Sequence, residues 1–243
     1  EGKDYLNTGY TEWGASGLAA VWAENNTRES IYDAFRRKET FATTGSRIKV
    51  RFFGGYGLDN ILDQKDPIKY AYANASTMGS DLIQNANQAP EFMVWALRDV
   101  KRAPLDRVQI IKGWTELSGK PHEKIYDVAC SDGRTANPKT GLCKDSGAKV
   151  NLNNCKISKN VGADELKVVW KDPDFNPDHK AFYYVRVLEN PTCRWSTWDA
   201  IKSGEKPRSD LPSTIQERAW SSPIWYVPDN EGITIRNILP DDV

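Results

Sequence analysis

The hydrophobic pattern changes period along the chain, and each period names an element. Residues 1–25 are rich in Gly, Ala and Asn and show no clean period, so they read as an extended lead-in. Ile31, Ala34 and Phe35 then recur at i, i+3 and i+4, the spacing of one helix face. Asn26 stands where an N-cap belongs, with Glu29 three residues on as its capping-box partner. Arg36, Arg37 and Lys38 fall in the last turn, where cations complement the helix dipole. The pattern predicts an amphipathic helix over 27–38.

Beyond the helix the period becomes two. The segment 41–44 is short and β-prone, and Gly45 breaks it. Ile48, Val50 and Phe52 alternate with Arg47, Lys49 and Arg51, the signature of a half-buried strand. Further strands are predicted at 92–98, 107–113, 124–129, 166–170, 181–189, 224–227 and 233–238. Turn chemistry separates them, at Ala103-Pro104, Ser131-Asp-Gly133, Asp172-Pro-Asp174 and Asn190-Pro191. A second short helix fits 197–203, opened by Ser196 and Thr197 and closed by Gly204. Many short strands with such turns predict a mainly β fold with a few helices: an antiparallel β-sandwich preceded by one amphipathic helix.

Composition narrows the function classes. Of 243 residues, 39% are hydrophobic and nine are Trp, which supplies a core and argues against global disorder. Lys+Arg and Asp+Glu both number 33, so the basic excess of a nucleic-acid binder is missing. The longest strongly apolar run, Gly17 to Ala23, is far short of the roughly 20 residues that span a bilayer. No basic-then-apolar segment follows Glu1, so no signal peptide is expected within the chain.

The four cysteines, Cys130, Cys143, Cys155 and Cys193, lack C-x-x-C spacing, which lowers zinc-knuckle and redox readings. An even count, with three of the four in the polar stretch 130–155, fits two disulfides and an oxidising compartment. We expect Cys143–Cys155 and Cys130–Cys193; the neighbour pairing 130–143 with 155–193 is also feasible. The two histidines, His122 and His179, lie far apart in turn-like contexts and do not suggest a His-rich zinc site. The run Asp172-Pro-Asp-Phe-Asn-Pro-Asp178 places oxygen side chains at alternate positions, yet its prolines stiffen it and Tyr183 stands where a calcium loop needs Glu. It reads as a turn entering the next strand.

The segment 181–189 carries aromatic or apolar side chains on both faces, as a central strand does. Arg186 sits inside it, and a buried Arg needs a carboxylate or an equally dense acceptor set. Glu189, Arg194, Glu217 and Arg218 are candidate members of one network, with Glu189 or Glu217 the expected partner of Arg186. The dense aromatic tail, Trp195, Trp198, Trp220, Trp225 and Tyr226, is either core or a row of rings able to stack on sugars.

Six segments taken together carry a resemblance. They are 17–29, Ala42-Thr-Thr-Gly-Ser-Arg47 with Arg51-Phe-Phe-Gly-Gly55, 103–114, 181–189, Arg194-Trp-Ser-Thr-Trp198, and Gln216-Glu-Arg-Ala-Trp-Ser-Ser-Pro-Ile-Trp-Tyr226. In this order they resemble the C-terminal part of a bacterial family of unknown function. That family carries a polymerase-and-histidinol-phosphatase (PHP) type metallohydrolase domain, is often exported, and is similar to carbaryl-hydrolase-like enzymes. The resemblance implies that residues 1–45 are the lead-in and closing helix of a PHP-like domain and that 46–243 form the sandwich, with its long Cys-containing loop at 130–155. It implies that the family's His-x-His and Ser-Asp-x-His metal ligands lie upstream of Glu1, so no catalytic, metal or cofactor residue is assigned here. A divalent metal is expected in that upstream part.

Two readings follow. In the first, the chain is the C-terminal portion of a periplasmic or secreted PHP-like metal-dependent hydrolase of phosphoester, amide or ester bonds. Its partners are the upstream PHP-like segment and an unknown small-molecule substrate, with neither nucleic acid nor a membrane span. Arg47, Arg186, Glu189 and Arg194 are then the substrate-binding candidates, the arginines because a guanidinium suits an anion. In the second, it is a self-standing β-sandwich module that binds a glycan or a protein partner.

Overall fold

The computed structural model describes residues 13–14 and 16–228. In chain order the elements are β1 (Leu18–Val21), α1 (Arg28–Arg36), β2 (Thr40–Thr43), β3 (Lys49–Gly55), α2 (Pro67–Asn74), β4 (Ser76–Thr77), β5 (Asp81–Ile83), β6 (Glu91–Leu97), β7 (Leu105–Thr115) and β8 (Pro121–Cys130). They continue with β9 (Val150–Asn151), β10 (Lys156–Ile157), β11 (Glu165–Lys171), β12 (Lys180–Glu189), β13 (Thr192–Cys193), α3 (Trp195–Lys202), β14 (Thr214–Ile215), β15 (Arg218–Ser221) and β16 (Ile224–Val227). The expected strand at 233–238 lies outside the described residues.

Two sheets stack. The larger runs β1-β2-β15-β12-β16-β5, with β7 on the other side of β12 and β8 beyond it; the smaller runs β11-β6-β3-β4. All pairings are antiparallel except β16 with β5. Between the sheets lie Val50, Phe52, Phe92 and Val94 from the smaller and Val108, Ile110, Tyr183, Val185 and Val187 from the larger. Burying each such side chain contributes about 1.5–3 kcal/mol. The other face of the smaller sheet is covered too: Phe53 and Met93 pack with Leu58, Ile61 and Ala71 of α2. The β-sandwich read from the period-two pattern is therefore the fold. β2 pairs with both β1 and β15, so the larger sheet takes in strands from both sides of residue 45.

β12 is central, as its two-sided apolar pattern implies. β7 pairs along its whole length, while β15 and β16 share its other edge in turn. The break between them falls at Pro223, which has no amide to donate. The Ser221 hydroxyl fills the gap by accepting from the Val185 amide at 2.9 Å.

Local chemistry sets the helices. α1 is capped by Thr27, not Asn26: its hydroxyl accepts from the Ser30 amide at 3.2 Å, and the Ser30 hydroxyl accepts in return from the Asn25 amide. Glu29 is left in the first turn, where the dipole favours an anion. α3 begins two residues earlier than expected, at Trp195. α2 was not expected from the apolar pattern; Asp66 caps it, and Pro67 sits where a missing amide costs nothing.

The disulfides are Cys130–Cys143 and Cys155–Cys193. This corrects the expected pairing of 143 with 155 and 130 with 193. The physical reason is local: the Cys143 amide donates to the Asp127 carboxylate at 2.6 Å, and the Asp127 amide to the Gly141 carbonyl. That folds Cys143 back onto β8, beside Cys130. Disulfides of this kind persist in oxidising compartments. Among the described residues no helix is long and apolar enough to cross a membrane.

Candidate functional site

The site is a cleft of about 550 Å³ between α3 and the turn joining β2 to β3. α3 supplies one wall. Trp195, Trp198, Asp199 and Lys202 all line it, and their i, i+3, i+4, i+7 spacing puts them on one helix face. Lys202 stands over the Trp198 ring at 5.5 Å. Two ties hold the wall in place. Cys193 is bonded to Cys155, and the Arg194 amide donates to the Ser213 carbonyl.

The opposite wall is the Thr44–Gly45 turn with Arg102 and Glu217. Gly45 adopts φ +123°, a backbone state closed to most side chains. The Thr43 hydroxyl locks the turn by accepting from the Gly45 amide and donating to the Ser46 carbonyl. Arg102 Nη2 lies 3.3 Å from Glu217 Oε1. The Glu217 Oε2 atom is buried with no hydrogen-bond partner.

Glu189 lies beneath this wall. It is fully buried, and neither carboxylate oxygen has a partner in hydrogen-bond geometry. Its carboxyl is pushed up to about 7, first by burial. The Ser46 hydroxyl and Arg102 pull it back, and the charges of Glu217 and Asp99 push it further. At Asp99 burial raises the carboxyl, but the Lys101 and Arg47 amides and the nearby arginines outweigh it and hold it below the usual carboxylate range.

The four candidate residues do not converge. Arg194 lines the cleft, but its guanidinium is engaged: Nη1 donates to Ser196 Oγ at 2.5 Å and Nη2 to the Trp13 carbonyl at 2.8 Å. Glu189 is buried behind the Arg102–Glu217 wall and does not line the cleft. Arg47 is exposed beside the turn, lines a separate depression with Leu18 and Ile48, and its amide donates to Asp99 Oδ2. Arg186 is elsewhere, on the outward face of the larger sheet. It is half-buried, and its Nε donates to Gln109 Oε1 at 2.7 Å; Gln109 Nε2 in turn donates to Asp127 Oδ1. The expected ion pair of Arg186 with Glu189 or Glu217 is therefore corrected. Positions 186 and 189 are an odd number apart, so a strand turns them to opposite faces.

Arg102, Asp199 and Lys202 were missed as site residues. The signal for Asp199 and Lys202 was present, since they share Trp195's helix face. Arg102 comes from a loop, where no period marks a face. The Asp172–Asp178 run is a turn as expected, with the Asp172 and Asp174 carboxylates committed. Asp172 Oδ2 pairs with Lys112 at 2.6 Å and accepts from the Tyr183 hydroxyl, and Asp174 accepts from the Tyr126 hydroxyl at 2.6 Å. Among the described residues no three His, Cys, Asp or Glu side chains gather into a metal-binding group. The described donors around the cleft do not make up the three or more clustered ligands that a catalytic metal needs.

A family profile described as "Protein of unknown function (DUF3604)" matches residues 2–228. The chain belongs to that family. No curated protein and no solved structure matches it. The DUF3604 match spans the sandwich, the cleft and both disulfides together.

Proposed function

We propose that this DUF3604 chain is the C-terminal portion of a PHP-like, carbaryl-hydrolase-related metal-dependent hydrolase of phosphoester, amide or ester bonds. In this reading it is periplasmic or secreted, and the metal is held by an upstream segment. The observation that carries the reading is the bare face of α1 and β1. Ala34 is the buried residue of α1, while Tyr32 and Phe35 are 58% and 52% exposed and Leu18 on β1 is 43% exposed. Among the described residues β1 pairs with β2 alone, leaving an open sheet edge. Two large exposed rings on α1, beside a sheet edge that no described strand pairs, are surfaces that proteins ordinarily cover.

The cleft supplies what such an enzyme needs beside its metal. Arg102 and Lys202 attract an anionic group, and Trp195 and Trp198 give an apolar wall for its organic part. Arg194 acts as a positioning residue, fixing the start of α3.

The test joins the two parts. The chain is mixed with the separately produced upstream segment, and amide hydrogen exchange is followed. Exchange in α1 and β1 should slow on mixing, and Tyr32→Glu with Phe35→Glu should weaken the association at least tenfold. Unchanged exchange at α1 and β1, with unchanged affinity of the double variant, contradicts the reading.

A further inference from the structure

The outward face of the larger sheet carries a second, larger concavity of about 740 Å³, within the range of small-molecule sites. Register builds its floor. Phe182 of β12 lies opposite Gly113 of β7 on one side and Trp225 of β16 on the other. Gly113 has no side chain, and the Phe182 ring occupies that space: a Cβ there would lie 2.3 Å from the ring. The ring is thereby laid over the strand. Its centroid is 5.2 Å from that of Trp225, which is 46% exposed. Tyr184, two residues along, continues the row nearly parallel to Phe182, 15° between planes and 6.3 Å between centroids.

The rim differs in kind from the floor. Thr115 and Glu123 flank the rings on β7 and β8, and Lys180 stands at the end of β12. Lys180 and Glu123 carry one charge of each sign, so the rim offers donors and acceptors with no net charge. A neutral, hydroxyl-rich ligand with a flat C–H face complements both parts: ring faces are electron-rich and attract weakly positive C–H groups, and the rim meets the hydroxyls.

We propose that this trough binds a neutral carbohydrate chain, with pyranose rings seated on Trp225 and Phe182. The inference is independent of the proposed hydrolase role, since it lies on another face and uses none of the cleft residues.

Affinity electrophoresis of the full chain tests it, in native gels cast with hydroxyethylcellulose, xylan or galactomannan. The wild type should be retarded in at least one gel. Trp225→Ala should lose at least tenfold in affinity there, and Trp225→Tyr, which restores a ring, should recover most of it. Melting curves of both variants should match the wild type, because Trp225 is surface-exposed. Free mobility of the wild type in all three gels overturns the proposal, and so does Trp225→Ala retarded as strongly as the wild type. Concentration-dependent self-association that Trp225→Ala abolishes, without retardation by polysaccharide, would assign the face to a protein contact and overturn it equally.

Discussion

Glu189, buried behind the Arg102–Glu217 wall of the cleft, gives the stability a pH dependence. Its folded value of about 7 stands above the ordinary 4.5, so the folded protein holds a proton that the unfolded chain releases. Stability is then full below pH 4.5 and falls as pH rises through about 7. The gap corresponds to about 3 kcal/mol. Glu189→Gln should match the wild type near pH 5 and exceed it by up to about 3 kcal/mol at pH 8, measured by urea unfolding. Equal pH slopes in the two proteins would contradict the assignment. Lys112 and Asp172 form an ion pair that is buried on both sides. Lys112→Met should cost about 3–5 kcal/mol, because it strands the Asp172 charge. At this scale the sequence was informative in type and not in partner. It marked Arg186 as needing acceptors, but Gln109 and Asp127 come from β7 and β8, more than fifty residues earlier in the chain. No local pattern announces such a partner.

Elements were more legible than their ends. The period-two runs placed β3, β6, β7, β8, β11, β12 and β16, because each buries one face or both. α1 was visible in Ile31, Ala34 and Phe35, yet its cap was misplaced by one residue, since Asn26 and Thr27 are both good caps and only geometry chooses. α2 was hidden because Asp66-Pro67 reads equally as a turn. Disulfide pairing was open because loop closure favours several partners. Two expectations belong to this scale. Ser221→Ala should cost about 1–3 kcal/mol, since the buried Val185 amide loses its acceptor at the interruption between β15 and β16. Thermal unfolding of that variant measures it. Replacing Cys155 and Cys193 by Ser should destabilise more than replacing Cys130 and Cys143, because the closed loop spans 38 residues rather than 13; the chain-entropy account puts both at about 3–4 kcal/mol. Equal loss of melting temperature in the two double variants would contradict that ordering.

For the whole molecule, the sandwich was legible because patterning alone decides it, and the cleft was not, because it is assembled from α3, a turn and a loop that meet only on folding. Trp195 and Trp198 were visible as aromatics, but whether a ring is core or surface depends on sheet register: Tyr226 is buried and its neighbour Trp225 exposed. In the proposed role, this chain completes a site whose metal is held by an upstream segment. Hydrolysis of phosphoester and aryl-ester substrates with Mn²⁺, Zn²⁺ or Fe²⁺ tests it most directly, comparing the chain alone with the chain joined to its upstream segment. The proposed role predicts no enzymatic turnover from the chain alone and chelator-sensitive turnover from the joined protein. Chelator-sensitive turnover by the chain alone would contradict it.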